Sequence, residues 1–162
     1  MKFSTREDIA APIDQVFEAL TDFEIYERAV LKRGAEVTRV DDLRDKSVGM
    51  QWQAQFQFRG RTRIIHAEIT ELRRPQLFIV ESRSAGLQGH MSMELIALSP
   101  RETRLFLQFD MRPKSFSARV FIQSLRLSKA SLNRRFKNGV TNYARGLEHR
   151  LEAQIEMQDN ST

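Results

Sequence analysis

The chain has 162 residues, of which 41% are hydrophobic and 29% charged, proportions typical of one globular domain with a substantial core. It contains no cysteine, which excludes disulfides, thiolate metal ligands and a cysteine nucleophile, and no apolar run reaches the length of a membrane span. The net charge of +5 is unevenly distributed, because residues 111–147 hold nine Lys or Arg and no Asp or Glu.

The first predicted elements are a strand and two short helices. The chain opens with MKFSTRED rather than the apolar region of a secretory signal, so we expect a cytoplasmic location. Alternation predicts a strand over 3–9, and Pro12 begins a helix whose apolar positions recur at helical spacing. The Thr-Asp pair at 21–22 predicts the cap of a second helix, which runs to about Leu31 and ends at Gly34.

Six further strands are predicted from alternating hydrophobicity. Turn sequences that contain Gly, Pro or runs of polar residues separate them. The predicted ranges are 35–42, 48–58, 61–72, 77–85, 89–98 and 104–111. Seven strands therefore precede the C-terminal region.

Residues 49–69, GMQWQAQFQFRGRTRIIHAEI, predict a hairpin that turns at Arg59-Gly60. A two-residue turn aligns one inward row on each strand. The first strand contributes Met50, Trp52, Ala54, Phe56 and Phe58, which pair in that order with Ile69, Ala67, Ile65, Arg63 and Arg61. An apolar wall with two arginines would suit a pocket for a greasy molecule with an acidic or polar end.

The same register extends the inward row and assigns the histidines to the other face. The inward row gains Phe78, Val80, Ser82, Met91, Met93 and Leu95. It continues through Leu105, Leu107 and Phe109 only if the preceding turn has an odd number of residues or a bulge. His66 and His90 point outward beside Arg83, which predicts solvated sheet surface rather than acid–base catalysis.

After Pro113 the hydrophobic period becomes helical and predicts one long helix over about 116–156. Its apolar stripe consists of Phe121, Leu125, Leu132, Phe136, Val140, Tyr143, Leu147 and Leu151, and its basic face of Arg119, Arg126, Arg134, Lys137 and Arg145. Lys129 breaks the pattern because it lies within the apolar arc. Gly139 and Gly146 lie at the edge of the stripe and predict a close approach of the helix backbone to a neighbour.

The segment APIDQVFEALTDFEIYE at 11–27, together with this order of elements, resembles the START-like (SRPBCC) superfamily, the helix-grip fold of birch-pollen-allergen-like and polyketide cyclase-like proteins. The resemblance rests on Ala11, Pro12, Val16, Phe17, Leu20, Thr21, Asp22 and Tyr26. It implies an α+β domain in which a seven-stranded antiparallel sheet curls around the long C-terminal helix and leaves a cavity between them. We expect one such domain over 1–157 and a frayed tail over 158–162.

The superfamily contains lipid and sterol carriers, polyketide cyclases and aromatases, quinone-binding proteins, ribosome-associated proteins and chaperone co-activators. Their site residues vary, so the resemblance transfers only the location of the site. We expect a cavity that binds a lipid, a quinone or a polyketide-like compound, without a metal or cofactor. The predicted lining is Trp52, Phe56, Arg63, Phe78, Met91, Met93, Phe109, Lys129 and Tyr143.

Arg63, with Lys129, is expected to hold the polar end of the ligand. Other interpretations stay open for both residues. Arg63 can instead lay its stem over Phe56 with the guanidinium in water, and Lys129 can reach the rim if the helix bends. The aromatic and methionine side chains of the predicted lining can equally form an ordinary core.

Two other functions remain open. A cyclase or aromatase would need an inward acid–base group, and the register offers only Arg63, Lys129 and Tyr143, so the sequence favours binding over catalysis. Alternatively, the basic helix face could contact RNA, ribosomal phosphates, an acidic protein or anionic lipid headgroups. Such binding would weaken steeply with salt, unlike binding in an apolar pocket.

Overall fold

A computed structural model describes residues 1–161 of the chain. The seven strands are β1 (Lys2–Ile9), β2 (Glu36–Arg39), β3 (Gln51–Phe58), β4 (Arg61–Arg73), β5 (Leu77–Ser84), β6 (Leu87–Ser99) and β7 (Glu102–Pro113). The four helices are α1 (Ile13–Leu20), α2 (Phe23–Lys32), α3 (Phe116–Arg126) and α4 (Lys129–Asp159). The tail predicted at 158–162 overlaps the last turn of α4 and extends to Thr162, which lies outside the described residues.

All seven strands form one antiparallel sheet in the order β1-β7-β6-β5-β4-β3-β2. Strands β1 and β2, which are far apart in sequence, form its two edges. Helices α1 and α2 connect those edges, and α4 packs on the inner face. The predicted α+β helix-grip architecture with a long C-terminal helix is confirmed.

The predicted register of the β3–β4 hairpin is also confirmed. Trp52 pairs with Ala67 and Phe56 with Arg63. Two irregularities then keep the inward row in phase along the rest of the sheet: the register shifts between Ile69 and Glu71, and again between Ala97 and Ser99. The second shift supplies the bulge on which the inward placement of β7 depended.

Helices α1 and α2 form where expected, and Asp22 takes the N-cap position of α2 as predicted, but the hydrogen bonding differs from that of a side-chain cap. The Thr21 hydroxyl donates to the carbonyl oxygen of Phe17 at 2.8 Å, and Asp22 makes no side-chain capping bond within the described part of the chain. The hydroxyl therefore closes the end of α1 rather than beginning α2. Gly34 ends α2 as predicted, with φ +85° and its N–H donating to the carbonyl oxygen of Leu31, because glycine adopts this left-handed conformation without strain.

The predicted range of the long C-terminal helix, 116–156, is wrong, because the chain breaks at Leu127-Ser128 and forms the short α3 before the long α4. The break resets the helical phase, since apolar positions before and after it no longer share one stripe. Lys129 becomes the first residue of α4 and is exposed. Its place in the apolar arc came from extending one helical wheel across two separate helices.

The core lies between α1, α4 and the inner face of the sheet. Its fully buried side chains include Phe17 and Leu20 of α1, Leu105 of β7 and Leu147 of α4. These residues close one end of the space between sheet and helix, whereas the rest of that space remains open as a cavity. No helix within residues 1–161 has the length and apolar character needed to cross a membrane.

Candidate functional site

A cavity of about 590 Å³ lies between the inner face of the sheet and helices α2 and α4. Its volume is within the range of roughly 300–1,000 Å³ that small-molecule sites occupy. The residues that line it are Leu20, Phe23, Tyr26, Glu27, Val30, Val37, Trp52, Ala54, Ala67, Phe78, Val80, Met91, Met93, Leu105, Leu107, Arg135, Phe136, Gly139, Val140 and Tyr143. Most of these residues carry no polar side-chain group, the exceptions being two tyrosines, one glutamate, one arginine and the Trp52 indole, so the wall is a hydrophobic surface.

The exposure of the lining residues indicates which end of the cavity opens. Leu20, Phe78 and Leu105 are almost completely buried and form the floor. Arg135 and Gly139, both on the N-terminal half of α4, are exposed to solvent. The cavity therefore has a closed apolar floor and a mouth beside α4.

Trp52 is the best anchored aromatic side chain of the wall. Its indole N–H donates to the Glu27 carboxylate at 2.7 Å, and its ring lies edge-on to Phe23 with centroids 5.2 Å apart. The Arg39 guanidinium lies 5.4 Å from the ring centroid and is itself held by Asp41, with the closest N–O distance 2.6 Å. Contacts from two helix residues and a neighbouring strand thus fix one orientation of the indole.

Two tyrosines add polar groups to an otherwise apolar interior. The Tyr26 hydroxyl lies 3.0 Å from the carbonyl oxygen of Leu20 and 3.0 Å from the Tyr143 hydroxyl. Because a carbonyl only accepts, Tyr26 donates to Leu20, and Tyr143 then donates to Tyr26. Burial, reinforced by the adjacent Tyr143, raises the pKa of Tyr26 far above its usual value, so this hydroxyl keeps its proton.

Arg135 is the one cationic residue among the described residues that line the cavity. It lies at the mouth and is exposed, and its side chain makes no ion pair or hydrogen bond with any residue of the range 1–161. Sequence reasoning missed it, because the stripe drawn through Phe136 leaves the preceding residue outside the apolar arc. The available signal was the nine-residue basic excess of segment 111–147, combined with the position of Arg135 one turn before Gly139.

Five of the nine predicted lining residues are brought together around the cavity: Trp52, Phe78, Met91, Met93 and Tyr143. The other four lie elsewhere. Phe56 and Arg63 face each other nearer the hairpin tip, and Lys129 is exposed at the start of α4. The Phe109 ring covers Gly89 of β6, where a Cβ atom would meet it at 3.3 Å.

The placement of the histidines agrees with the predicted register. His66 pairs across the sheet with Gln53 and Arg83 and is exposed. His90 bonds the Glu81 carboxylate on the same outer face. No group of three His, Asp or Glu side chains within residues 1–161 is arranged to hold a metal ion.

The two helix glycines do not have the predicted role. A Cβ atom at Gly139 or Gly146 would have no neighbour within 4 Å among the described residues, so neither glycine permits a close approach of the backbone to one of them. Gly139 instead leaves space at the mouth of the cavity. Gly146, two turns further along the same helix, lies outside the lining.

The basic face of the C-terminal region is divided between paired and unpaired side chains. Arg145 bonds Glu7, Glu148 and the carbonyl oxygen of Asp8, and so joins α4 to β1. Arg119, Arg126, Arg134 and Lys137 are exposed and have no ion pair within the part of the chain that the structure describes. The break at Leu127-Ser128 places the first two on α3 and the others on α4.

No protein-family model matches the chain, and a search of curated proteins found no match either. Solved structures do match. TTHA0849 from Thermus thermophilus superposes with a TM-score of 0.63 at 17% identity, over 95% of this chain and 99% of that one. The ZhuI aromatase/cyclase from Streptomyces sp. R1128 gives 0.60 at 14%, over 90% and 93%.

A third match is a START superfamily protein from Mycobacterium smegmatis, with a TM-score of 0.54 at 14% identity over 83% of this chain and 95% of that one. Sequence identities this low carry information about architecture only. The three matches extend over 83–95% of this chain, so they concern its architecture as a whole. The chain therefore has the START-like, helix-grip fold.

Proposed function

We propose that the protein binds a hydrophobic small molecule, such as a lipid, a quinone or a polyketide-like compound, in the cavity between the sheet and α4. The observation that supports this most is the cavity of about 590 Å³ with its nearly continuous apolar wall. Burial of apolar ligand surface would supply the affinity, at roughly 25 cal/mol per Å² removed from water. Trp52, Phe78, Met91, Met93 and Tyr143 are the proposed contacts.

The polar end of the ligand would lie at the mouth, beside Arg135. This guanidinium has no partner among residues 1–161, and it can pair with a carboxylate or phosphate while the apolar part of the ligand occupies the interior. Arg63 and Lys129, the residues expected from the sequence, do not border the cavity. We therefore assign to Arg135 the role that the sequence predicted for them.

Fluorescence provides a direct test, because Trp52 is the one tryptophan of the chain and lies in the cavity wall. Titration with a long-chain fatty acid such as oleate, and separately with a quinone such as decylubiquinone, should change its emission in a saturable manner. Native mass spectrometry of protein purified from its own host would then identify the co-purifying molecule. A protein that is always empty and shows no saturable response to either probe would contradict the proposal.

A matched pair of glycine variants separates cavity binding from non-specific adsorption. Gly139→Leu places a side chain at the mouth, and we expect at least a tenfold loss of affinity for whichever probe binds. Gly146→Leu makes the same change in the same helix away from the cavity and should bind normally. Both variants remove a glycine from a helix interior, which favours folding, so equal weakening by both would contradict a site at the mouth.

Polyketide cyclisation or aromatisation is the second candidate, and Glu27 is the observation that favours it. A carboxylate in an apolar wall can accept a proton from a bound chain, although here it also holds the Trp52 indole. Glu27→Gln retains an oxygen that accepts from the indole and removes the base. If binding survives this substitution while turnover of a poly-β-ketone mimic disappears, the result would support an enzyme. If the unaltered protein shows no turnover, the result would support a carrier.

The cytoplasmic location stays a prediction.

A further inference from the structure

Helix α3 is apolar on two opposite faces. One face packs on the domain, with Ala118 and Ile122 buried. The other carries Phe116, Val120 and, in the cap residue, Leu127, whose exposed fractions are 81%, 50% and 92%. At about 100° per residue these three lie within roughly 40° of one another. They form an exposed row, which we call the α3 ridge, and the exposed side chain of Gln123 lies on the same face between Val120 and Leu127.

The α3 ridge is bordered by positive charge. Lys114 precedes the helix, Arg119 and Arg126 lie along one side of the ridge, and Lys129 follows it. All four are exposed, and within the described residues none makes an ion pair or a hydrogen bond through its side chain. Because residues 111–147 contain no Asp or Glu, no acidic side chain of this segment offsets the charge.

We propose that the α3 ridge attaches the protein to the surface of an anionic lipid bilayer. A helix that presents large apolar side chains between cations can insert them at the level of the acyl chains while the cations contact lipid phosphates. Each Lys or Arg near such a surface adds to the attraction, provided that the bilayer is anionic. Charge complementarity therefore favours an anionic partner, and the exposed apolar side chains favour one that also takes them out of water, as a bilayer does.

Two other partners fit the α3 ridge less well. A second copy of the chain would bring the same basic border against itself, and like charges would oppose the contact. RNA would satisfy Arg119 and Arg126, and Phe116 could stack on a base, but Val120 and Leu127 present no ring on which a base can stack. Neither partner uses both the charge and the aliphatic surface.

The position of α3 brings the cavity mouth close to such a surface. Only Leu127 and Ser128 separate α3 from α4, and Arg135 at the mouth is six residues, or about 9 Å, from the start of α4. A molecule that leaves the cavity would thus emerge near the bilayer. Attachment itself does not depend on the cavity being a ligand site, so the two proposals can fail separately.

Flotation with vesicles tests the proposal. Unaltered protein should float with vesicles of phosphatidylcholine and phosphatidylglycerol in a 7:3 ratio, and at least tenfold less with phosphatidylcholine alone. The double variant Phe116→Ser, Leu127→Ser should lose at least tenfold in binding to the anionic vesicles. The control Leu31→Ser, Met157→Ser removes two other exposed apolar side chains and should bind normally; thermal unfolding of both double variants verifies folding.

A charge-reversal pair examines the basic border. Arg119→Glu, Arg126→Glu should abolish flotation, whereas Arg83→Glu, Arg101→Glu makes the same change in net charge at exposed positions elsewhere and should weaken it by less than threefold. Three outcomes would overturn the proposal. They are no binding to anionic vesicles, vesicle binding that the Phe116 and Leu127 substitutions leave unchanged, and binding to single-stranded RNA but not to vesicles. A dimer in solution that these substitutions dissociate, without vesicle binding, would likewise overturn it.

Discussion

The two ends of the β3–β4 hairpin differ although they share one register and one inward face. At the base, Trp52, Ala54 and Ala67 form part of the cavity wall. At the tip, the Phe58 ring packs edge-on against Phe121 of α3 with centroids 6.1 Å apart, and the Arg59 guanidinium lies over both rings. One continuous apolar row therefore serves as a cavity wall at one end and as a support for α3 at the other.

The two ends of this apolar row differ because different helices cover them. Helix α2 covers the base through Phe23 and Glu27, and α3, separated from α4 by the break at Leu127-Ser128, faces the tip. Alternation along a strand determines which side chains share a face. It carries no information on which partner lies opposite, so Trp52 and Phe58 were indistinguishable in the sequence pattern.

The largest expected difference between the two ends is in stability. Trp52→Ala should lower the free energy of unfolding by about 2–4 kcal/mol, because it removes the contacts with Phe23, Glu27 and Arg39 and enlarges the cavity. Phe58→Ala at the exposed tip should cost about 1 kcal/mol or less. Urea unfolding followed by circular dichroism measures both, and equal losses would show that the two ends are equivalent.

The next largest effect is expected at Asp41, which holds the Arg39 guanidinium in place over the Trp52 ring. Asp41 accepts from Arg39 and from the backbone N–H groups of Leu43 and Gln51, so Asp41→Asn should cost about 1–2 kcal/mol at neutral pH. Thr62→Val removes one exposed hydrogen bond from Gln57 at the tip and should cost less than about 0.5 kcal/mol. A larger loss of unfolding free energy in Thr62→Val than in Asp41→Asn would contradict the expectation that the base of the hairpin is the more strongly supported end.

The same aspartate predicts a dependence on pH. The hydrogen bond from Arg39, with those from Gln51 and Leu43, holds the pKa of Asp41 well below its usual value despite its burial. The ionised form is therefore favoured in the folded state, and its contribution is present above the unfolded pKa of about 3.9. That contribution is lost as the pH falls from there through the lower folded value. The stability difference between the unaltered protein and Asp41→Asn should shrink below about pH 4, as measured by urea unfolding from neutral to strongly acidic pH.

A smaller effect separates the two arginine candidates for the ligand. Arg135→Leu should weaken binding of a fatty acid about five- to tenfold, which corresponds to about 1–1.4 kcal/mol, and addition of salt should reduce the difference. Arg63→Leu should leave the affinity unchanged, because Arg63 lies opposite Phe56 and away from the lining. Competition against the Trp52 fluorescence signal measures both. A larger loss of affinity in Arg63→Leu than in Arg135→Leu would indicate that the polar end of the ligand lies at the hairpin.

The smallest expected effect is at the tip itself. Arg59→Ala removes the cation over Phe58 and Phe121 and should cost about 0.5–1 kcal/mol, with no change in fatty acid affinity. Arg59 has φ +50°, so Arg59→Gly is the control that keeps this backbone conformation accessible. A loss of ligand binding in either variant would show that the tip of the hairpin contributes to the cavity, contrary to the difference between the two ends.

The sequence predicted most of the fold because its strongest signals are local. Alternation located every strand, and the register between Trp52 and Ala67 follows from counting residues across the two-residue turn. Beyond Ile69 the inward row stays in phase through a register shift that counting residues does not reveal. The break in the C-terminal helix was missed, because neither Leu127 nor Ser128 is a strong helix breaker. Packing of α3 against β7 and the hairpin, rather than propensity, decides where that helix ends.

The candidate site was harder to predict than the fold, because its lining comes from helices as well as from strands. Four of its residues, Trp52, Phe78, Met91 and Met93, followed from the inward register, which depends on hydrogen bonding within the sheet, and Tyr143 followed from the apolar stripe of the C-terminal helix. Lys129 was assigned by a helical phase that does not cross the break at Leu127-Ser128, and one residue of error in a helix rotates a side chain by about 100°. Arg135 was missed although the phase within α4 was correct, because it lies beside the stripe of Phe136, Val140 and Tyr143 rather than in it.

The direction of the hydroxyl chain from Tyr143 through Tyr26 to Leu20 gives the cavity a chemical polarity. Each hydroxyl has one hydrogen, and both are committed toward the Leu20 carbonyl. In this arrangement Tyr143 can accept a hydrogen bond from a ligand while it keeps its bond to Tyr26, but it can donate one only by giving that bond up. A hydroquinone or an alcohol would be satisfied there, whereas the corresponding quinone or ketone would leave two acceptors facing each other. If the proposed ligand is such a compound, we expect the cavity to bind the reduced member of the redox couple more tightly than the oxidised one.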